Sequence, residues 1–221
     1  MRVVASFSKL DEVRFVSHLD MQRLFQRAFR RAGLPLAYSQ GFNPHPLLSF
    51  ATALSVGYTS DCEYFDITLS EPIPTDGFVS RVNAVLPVGV MITDAVDAGG
   101  FKGSLTPLMR SADYSVKMRF ERDLSSRELH NAAEALLGGD IFVDKKTKGG
   151  IKSVDIRPML ISLSVSEADG NSAKLDISGK LTAEGGLPLE LLFGALYEKL
   201  GVNAETRVHR KRIEMDWTAL K

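Results

Sequence analysis

The stretch Ser17-His18-Leu19-Asp20-Met21-Gln22-Arg23-Leu24-Phe25-Gln26-Arg27-Ala28-Phe29-Arg30-Arg31-Ala32-Gly33-Leu34-Pro35 sets the reading of everything around it. Met21, Leu24, Phe25, Ala28, Phe29 and Ala32 recur at helical spacing and form one apolar stripe, so the stretch predicts an amphipathic helix with a face for a core. Ser17 is a good N-cap with Asp20 three residues on, and Gly33 followed by Leu34-Pro35 stops the helix. The opposite face carries Arg23, Arg27, Arg30 and Arg31.

Working outward, Arg2–Ser8 alternates around Val4 and Phe7 as a strand. A polar turn at Lys9–Glu12 and the apolar Val13, Phe15 and Val16 lead into the helix. On the other side, Leu47–Val56 and Cys62–Leu69 predict two strands with Gly57–Asp61 as their turn. Residues 75–86 predict a second helix ended by Pro87, and Val88–Val96 another strand. The order is β, α, β, β, α, β.

Gly99–Pro107 is the best linker candidate, after which the pattern starts again. A strand at Ala112–Phe120 is followed by a helix at Ser125–Leu137, with Ser125 and Glu128 as a capping box and Gly138-Gly139 as its stop. Ile141–Lys145, Met159–Ser166 and Ala173–Leu181 predict strands, Leu187–Leu200 a helix with Pro188 in its first turn, and Thr206–Met215 a last strand. The expected fold class is therefore α+β: two tandem ferredoxin-like (βαββαβ) units with antiparallel sheets. The expected boundaries are 1–98 for the first unit, 99–111 for a linker and 112–221 for the second.

Composition limits the chemistry. The 221 residues are 44% hydrophobic and 24% charged, with 27 basic and 27 acidic residues, so no global field attracts a polyanion and any nucleic-acid site must be local. The charge is nonetheless uneven. Residues 1–50 hold seven Lys and Arg against three Asp and Glu, whereas 51–100 hold one against seven. A single cysteine, Cys62, excludes an internal disulfide and a thiolate cage for zinc or an iron–sulfur cluster within this chain. The opening residues show no signal-peptide pattern and no stretch is apolar enough to span a membrane, so the expected compartment is the cytoplasm, with no membrane partner. No cofactor or metal motif is present: there is no Walker loop, Rossmann glycine fingerprint or nucleophile elbow.

Three constellations remain. The arginine face could hold a row of phosphates bidentately, or be a solvated face that also reaches acids such as Glu63 and Asp66. The loop Tyr38-Ser39-Gln40-Gly41-Phe42-Asn43-Pro44-His45-Pro46 offers aromatics, amides and an imidazole. These suit stacking on a base and contacting its edges or, with His18 and Asp20, proton transfer at neutral pH. The bland alternative is that His18 and Asp20 cap the helix and His45 is a turn residue. The third group is Lys145, Lys146, Lys148 and Lys152 around Gly149-Gly150, with Arg207, His209, Arg210, Lys211 and Arg212 near the C-terminus. It could extend a polyanion path, or merely protect a sheet edge.

Several of these segments together resemble the DUF2344 family, radical-SAM-linked proteins of uncharacterised function. They are Arg14-Phe15-Val16-Ser17-His18-Leu19-Asp20, Arg27-Ala28-Phe29-Arg30-Arg31-Ala32-Gly33-Leu34-Pro35, the Tyr38–Pro46 loop, Leu54-Ser55-Val56-Gly57 and Glu63-Tyr64-Phe65-Asp66-Ile67. The likeness is specific over residues 12–67, with a weaker echo at Val154-Asp155-Ile156-Arg157-Pro158. It implies an accessory domain fused to, or encoded beside, a B12-type radical SAM protein and often near a ribonuclease E/G gene, hence a role around RNA. The Cys-x-x-x-Cys-x-x-Cys motif is absent, so a separate radical SAM protein would have to hold the cluster. A looser fold-level likeness is to RNA-binding tandem ferredoxin-like proteins, including repeat-associated CRISPR RNA endonucleases. Their glycine-rich loop is not evident here, since Gly185-Gly186 is a short turn.

The leading expectation is a non-catalytic RNA-binding protein acting on tRNA or rRNA with a radical SAM enzyme in modification or processing. Arg23, Arg27, Arg30 and Arg31 would hold phosphates, while Tyr38, Gln40, Phe42, Asn43 and His45 contact the RNA. Two alternatives stay open: a metal-independent ribonuclease with His18 and His45 as acid and base and Asp20 nearby, and a protein-binding adaptor without RNA contact.

Overall fold

The computed structural model describes residues 1–147 and 149–220, with backbone alone for Thr147, Ala219 and Leu220. The expected contribution of Lys148 lies outside the described residues. The fold is mixed α+β with mostly antiparallel strand pairing and, among the described residues, four α-helices. The chain divides into two compact units, Met1–Met109 with Arg212–Lys221, and Arg110–Lys211.

The first unit contains β1 (Arg2–Lys9), α1 (His18–Arg31), β2 (Leu48–Phe50), β3 (Thr59–Thr68), α2 (Thr75–Asn83) and β4 (Val90–Asp97). Its strands lie in the order β4-β1-β3-β2, every pair antiparallel, with Val3 opposite Ile67 and Asp97, and Leu48 opposite Ile67. The apolar stripe of α1 packs as its spacing requires: Met21, Phe25, Ala28 and Phe29 are buried. Phe25 sits among Phe7, Phe29, Phe50 and Phe65 with ring centroids 4.9–5.7 Å apart, in edge-on and tilted arrangements that aromatic quadrupoles favour. Ser17 caps the helix by accepting from the Asp20 N–H. At the other end Gly33 adopts φ +63°, and the Leu34 N–H turns back to the Phe29 carbonyl at 3.1 Å.

Two local expectations change. The strand expected over Leu47–Val56 is only three residues long. Ala51 still donates to Tyr64, but the chain then runs irregularly, burying Leu54 and turning at Gly57 with φ +90°. Lys9, expected in a turn, ends β1 and is buried. Its Nζ donates to the Val16 carbonyl at 2.8 Å; burial pushes its pKa down, and the Glu63 carboxylate opposes that shift.

The stretch expected as a linker is pinned to the first unit. Arg2 donates to the carbonyls of Phe101 and Gly103, each at 2.8 Å, and lies over the Phe101 ring. Leu105 is buried, and the Thr106 hydroxyl donates to Ala51. From Arg212 onward the chain groups with this unit too. The Asp216 N–H donates to Leu108, and Trp217 meets Tyr64 edge-on at 5.3 Å.

The second unit contains β5 (Met109–Phe120, from Arg110 on), α3 (Ser126–Gly138), β6 (Phe142–Thr147), β7 (Gly150–Asp155), β8 (Leu160–Asp169), β9 (Ser172–Thr182), β10 (Gly185–Gly186), α4 (Leu189–Leu200) and β11 (Ala204–Met215, to Lys211). β9 pairs with β5, β8 and β10, and β11 lies on the other side of β5. β6 and β7 form a separate two-stranded ribbon, in which β7 is a strand that the sequence pattern does not announce. Alternation decides the sheet. Ala112, Tyr114, Val116, Met118 and Phe120 face inward, as do Ala173, Leu175, Ile177 and Leu181. The capping box at Ser125 and Glu128 forms, and Gly201 ends α4 at φ +63°.

Candidate nucleic-acid interface

The four arginines of α1 are all exposed, because the helix turns the positions between its buried residues outward. Their surroundings differ. Arg23 pairs with Asp20 at 2.9 Å, and Arg31 donates to the Val85 carbonyl beyond α2. The side chains of Arg27 and Arg30 make no hydrogen bond or ion pair among the described residues. The acids named as alternative partners of this face lie elsewhere: Asp66 binds Arg2 at 3.0 Å, and Glu63 is buried on β3.

The loop after α1 closes on itself. Tyr38 and Pro46 form a bridge, the Ser39 N–H donates to the His45 carbonyl at 2.9 Å, and the Leu47 N–H to Ala37. The Ser39 hydroxyl accepts from the His45 N–H at 3.1 Å and lies 2.9 Å from His45 Nδ1. Beyond this closure Gln40, Gly41, Phe42, Asn43 and Pro44 are exposed, and the Phe42 ring stands wholly in solvent. Gly41 at φ +132° makes the turn that aims it there. Ala37 donates to Thr68 and Ser70 to Pro35, so the loop stands at the end of the unit where α1 finishes and Arg30 and Arg31 lie.

The groups proposed for proton transfer are not brought into contact. His18 opens α1 and meets Phe50 edge-on at 5.5 Å, with Nε2 3.4 Å from Gln22 Nε2, whereas His45 is tied to Ser39 in the loop. Asp20 is a capping carboxylate. The Ser17 hydroxyl, then the Arg23 hydrogen bond, and the Arg23 and Arg27 charges hold its pKa below the usual carboxylate range, so it is ionised at neutral pH and a poor proton acceptor. Among the described residues no group of three or more His, Cys, Asp or Glu could hold a metal ion, and no helix is long and apolar enough to cross a membrane.

One surface pair escapes sequence reasoning. Phe15 is 59% exposed, and the Arg14 guanidinium lies over its ring at 4.5 Å; Leu19 in the first turn of α1 is exposed too. The only signal was an aromatic placed just ahead of the cap and outside the helical stripe. The basic groups of the second unit are divided. Lys145 and Lys152 stand opposite each other on the β6–β7 ribbon, Arg207 and Lys211 are exposed on β11, and Arg210 is buried over the Tyr114 ring.

Known proteins add the following. No curated protein matches this sequence. Among solved structures, a chain in a Cbf5-Nop10-Gar1 complex superposes with TM-score 0.56 at 11% identity, covering 96% of this chain and 48% of that chain. A chain of the archaeal box H/ACA sRNP Nop10-Cbf5 complex gives 0.54 at 10% identity, covering 96% and 47%. One from an H/ACA RNP bound to a substrate RNA containing 2'-deoxyuridine gives 0.53 at 10%, again covering 96% and 47%. At such identities the likeness is one of fold, and this chain spans about half the length of those it matches. Residues 2–186 match the family model described as an uncharacterized protein conserved in bacteria, and the chain therefore belongs to the DUF2344 family.

Proposed function

We propose that this protein is an RNA-binding accessory protein that presents a tRNA or rRNA to a separate radical SAM enzyme in the cytoplasm. The observation that carries the reading is the pairing of Arg27 and Arg30, exposed and with no side-chain hydrogen bond or ion pair among the described residues, with a closed loop that holds Phe42 out in solvent at the end where α1 finishes. Arg27 and Arg30 take backbone phosphates, and Arg23 and Arg31 join by exchanging their present partners. Phe42 and Tyr38 stack on a base whose edge meets Gln40, Asn43 and His45. We read each unit as a ferredoxin-like βαββαβ module. The order β4-β1-β3-β2 supports this for the first, and for the second β5, α3, β8, β9, α4 and β11, with the β6–β7 ribbon as an insertion. The fold likeness to a chain of an RNP bound to substrate RNA is in keeping with an RNA partner. The radical SAM partner rests on the family resemblance and on the single cysteine, which leaves no cluster ligands in this chain.

The test is a titration of the full chain with bulk tRNA and rRNA fragments at several salt concentrations. Affinity should fall steeply with salt, and Arg27→Ala/Arg30→Ala should lower it roughly tenfold or more. Unchanged affinity in that variant removes the reading. A flat titration alongside co-purification of a radical SAM protein would put a protein-binding adaptor in its place.

A further inference from the structure

The open face of the second unit's sheet holds a cleft of about 530 Å³ that the α1 reading does not use. It is lined from four strands: Lys117 and Arg119 of β5, Glu167 and Asp169 of β8, Ser172 and Lys174 of β9, and Glu205 and Arg207 of β11. Alternation explains why these side chains meet. On β5 and β9 the residues between them, Val116, Met118, Ala173 and Leu175, point into the core and leave the polar set outside.

Register then sets the charge pattern. Lys117 stands directly opposite Lys174, and Arg207 enters from the strand on the other side of β5. With Arg119, four cations thus share one cleft, drawn from three adjacent strands. Like charges directly opposed across a ladder are unfavourable unless an anion lies between them. Of these cations Lys174 alone has a counter-ion among the described residues, Glu167 at 3.0 Å, whose hydrogen bond and charge hold its pKa up. The side chains of Lys117, Arg119 and Arg207 make no hydrogen bond or ion pair among the described residues. The cleft also contains Asp169 and Glu205, which accept hydrogen bonds and donate none. Cations and acceptors together call for a ligand carrying both an anion and N–H or O–H donors. The volume is in the range of small-molecule sites, and the cleft has no aromatic for stacking, which makes phosphate recognition its main source of affinity.

We infer that this cleft binds the phosphates of a nucleotide on Lys117, Lys174 and Arg207, with Asp169 and Glu205 accepting from its ribose hydroxyls or base amino groups. The nucleotide is either free or the phosphorylated end of an RNA. The inference does not rest on the arginine face of α1.

The experiment titrates the full chain with ATP, with inorganic pyrophosphate, and with one short oligoribonucleotide carrying either a 5'-phosphate or a 5'-hydroxyl. A free nucleotide as ligand predicts ATP binding with the two oligonucleotides alike. An RNA end predicts that the 5'-phosphorylated form binds more tightly than its 5'-hydroxyl twin. In either case Lys117→Glu/Arg207→Glu should weaken binding roughly tenfold or more, whereas Lys180→Glu, on the same face of β9 but outside the cleft, should not. Should charge reversal disturb the circular dichroism spectrum, Lys117→Gln/Arg207→Gln repeats the measurement at lower risk. The inference is overturned if no probe binds at millimolar concentration, if the double variant keeps its affinity, or if Lys180→Glu loses as much. Arg27→Ala/Arg30→Ala should leave ATP or pyrophosphate binding intact, so failure here and failure of the α1 reading are separate results.

Discussion

Two regions gather cations by different geometry. On α1, spacing along a single element sets the row, and local neighbours can neutralise it: Asp20, three residues before Arg23, does so. On the β5–β9–β11 face, neighbours in space are distant in sequence, and Lys117 meets Lys174 only because of the strand register. A helical row of charge can be read from one stretch and is often discharged within it. A row across a sheet is silent in the sequence, and of this one Lys174 alone has an ion-pair partner, Glu167, among the described residues.

The largest expected effect tests the platform under the helical row. Phe25→Ala empties the centre of the phenylalanine cluster and should cost about 3–5 kcal/mol, read as a lower denaturation midpoint. If RNA affinity survived that loss of packing, α1 would not be what positions the arginines. Next, Arg27→Ala/Arg30→Ala should reduce the slope of log K against log salt by roughly 1.4 on single-stranded RNA, as two phosphate contacts are lost. Arg23→Ala/Arg31→Ala should change the slope less, because those side chains already have partners. Equal changes would erase the distinction drawn between the two pairs.

Smaller effects compare the caps of the two units. Ser17→Ala and Ser125→Ala should each destabilise by roughly 1 kcal/mol in thermal melts, with only the first affecting RNA binding. The smallest effect concerns Tyr197, whose pKa burial pushes up to about 12, with the Glu190 charge acting the same way, while its hydroxyl donates to Ala204. The folded state holds this proton more tightly than the unfolded chain, so its stabilisation is complete below about pH 10 and fades as pH rises through about 12. Urea titrations across that window should show a shallower decline for Tyr197→Phe than for the unaltered protein.

Much of the architecture was legible because it depends on local chemistry. The Ser17 and Ser125 caps, the Gly33 and Gly201 stops, the α1 stripe and the alternation of 112–120 and 173–181 are each written within a few residues. What was hidden depends on partners far along the chain. Gly99–Pro107 reads as a linker because nothing local reveals that Arg2 binds its carbonyls. β7 was missed because Ile151, Lys152 and Ser153 are all exposed and lack the contrast that alternation needs. The candidate loop was visible as composition, but its closure by Ser39 and His45, which separates His45 from His18, was not.

The division of the chain has a consequence for biosynthesis. The first unit takes its last residues from Arg212 onward, so Trp217 reaches Tyr64 only after the whole of Arg110–Lys211 has been translated. At common elongation rates that is a delay of roughly 5–20 s. When it ends the second unit has its full sequence while the first still waits for its final segment, so on the ribosome the unit that starts first is the one that finishes last.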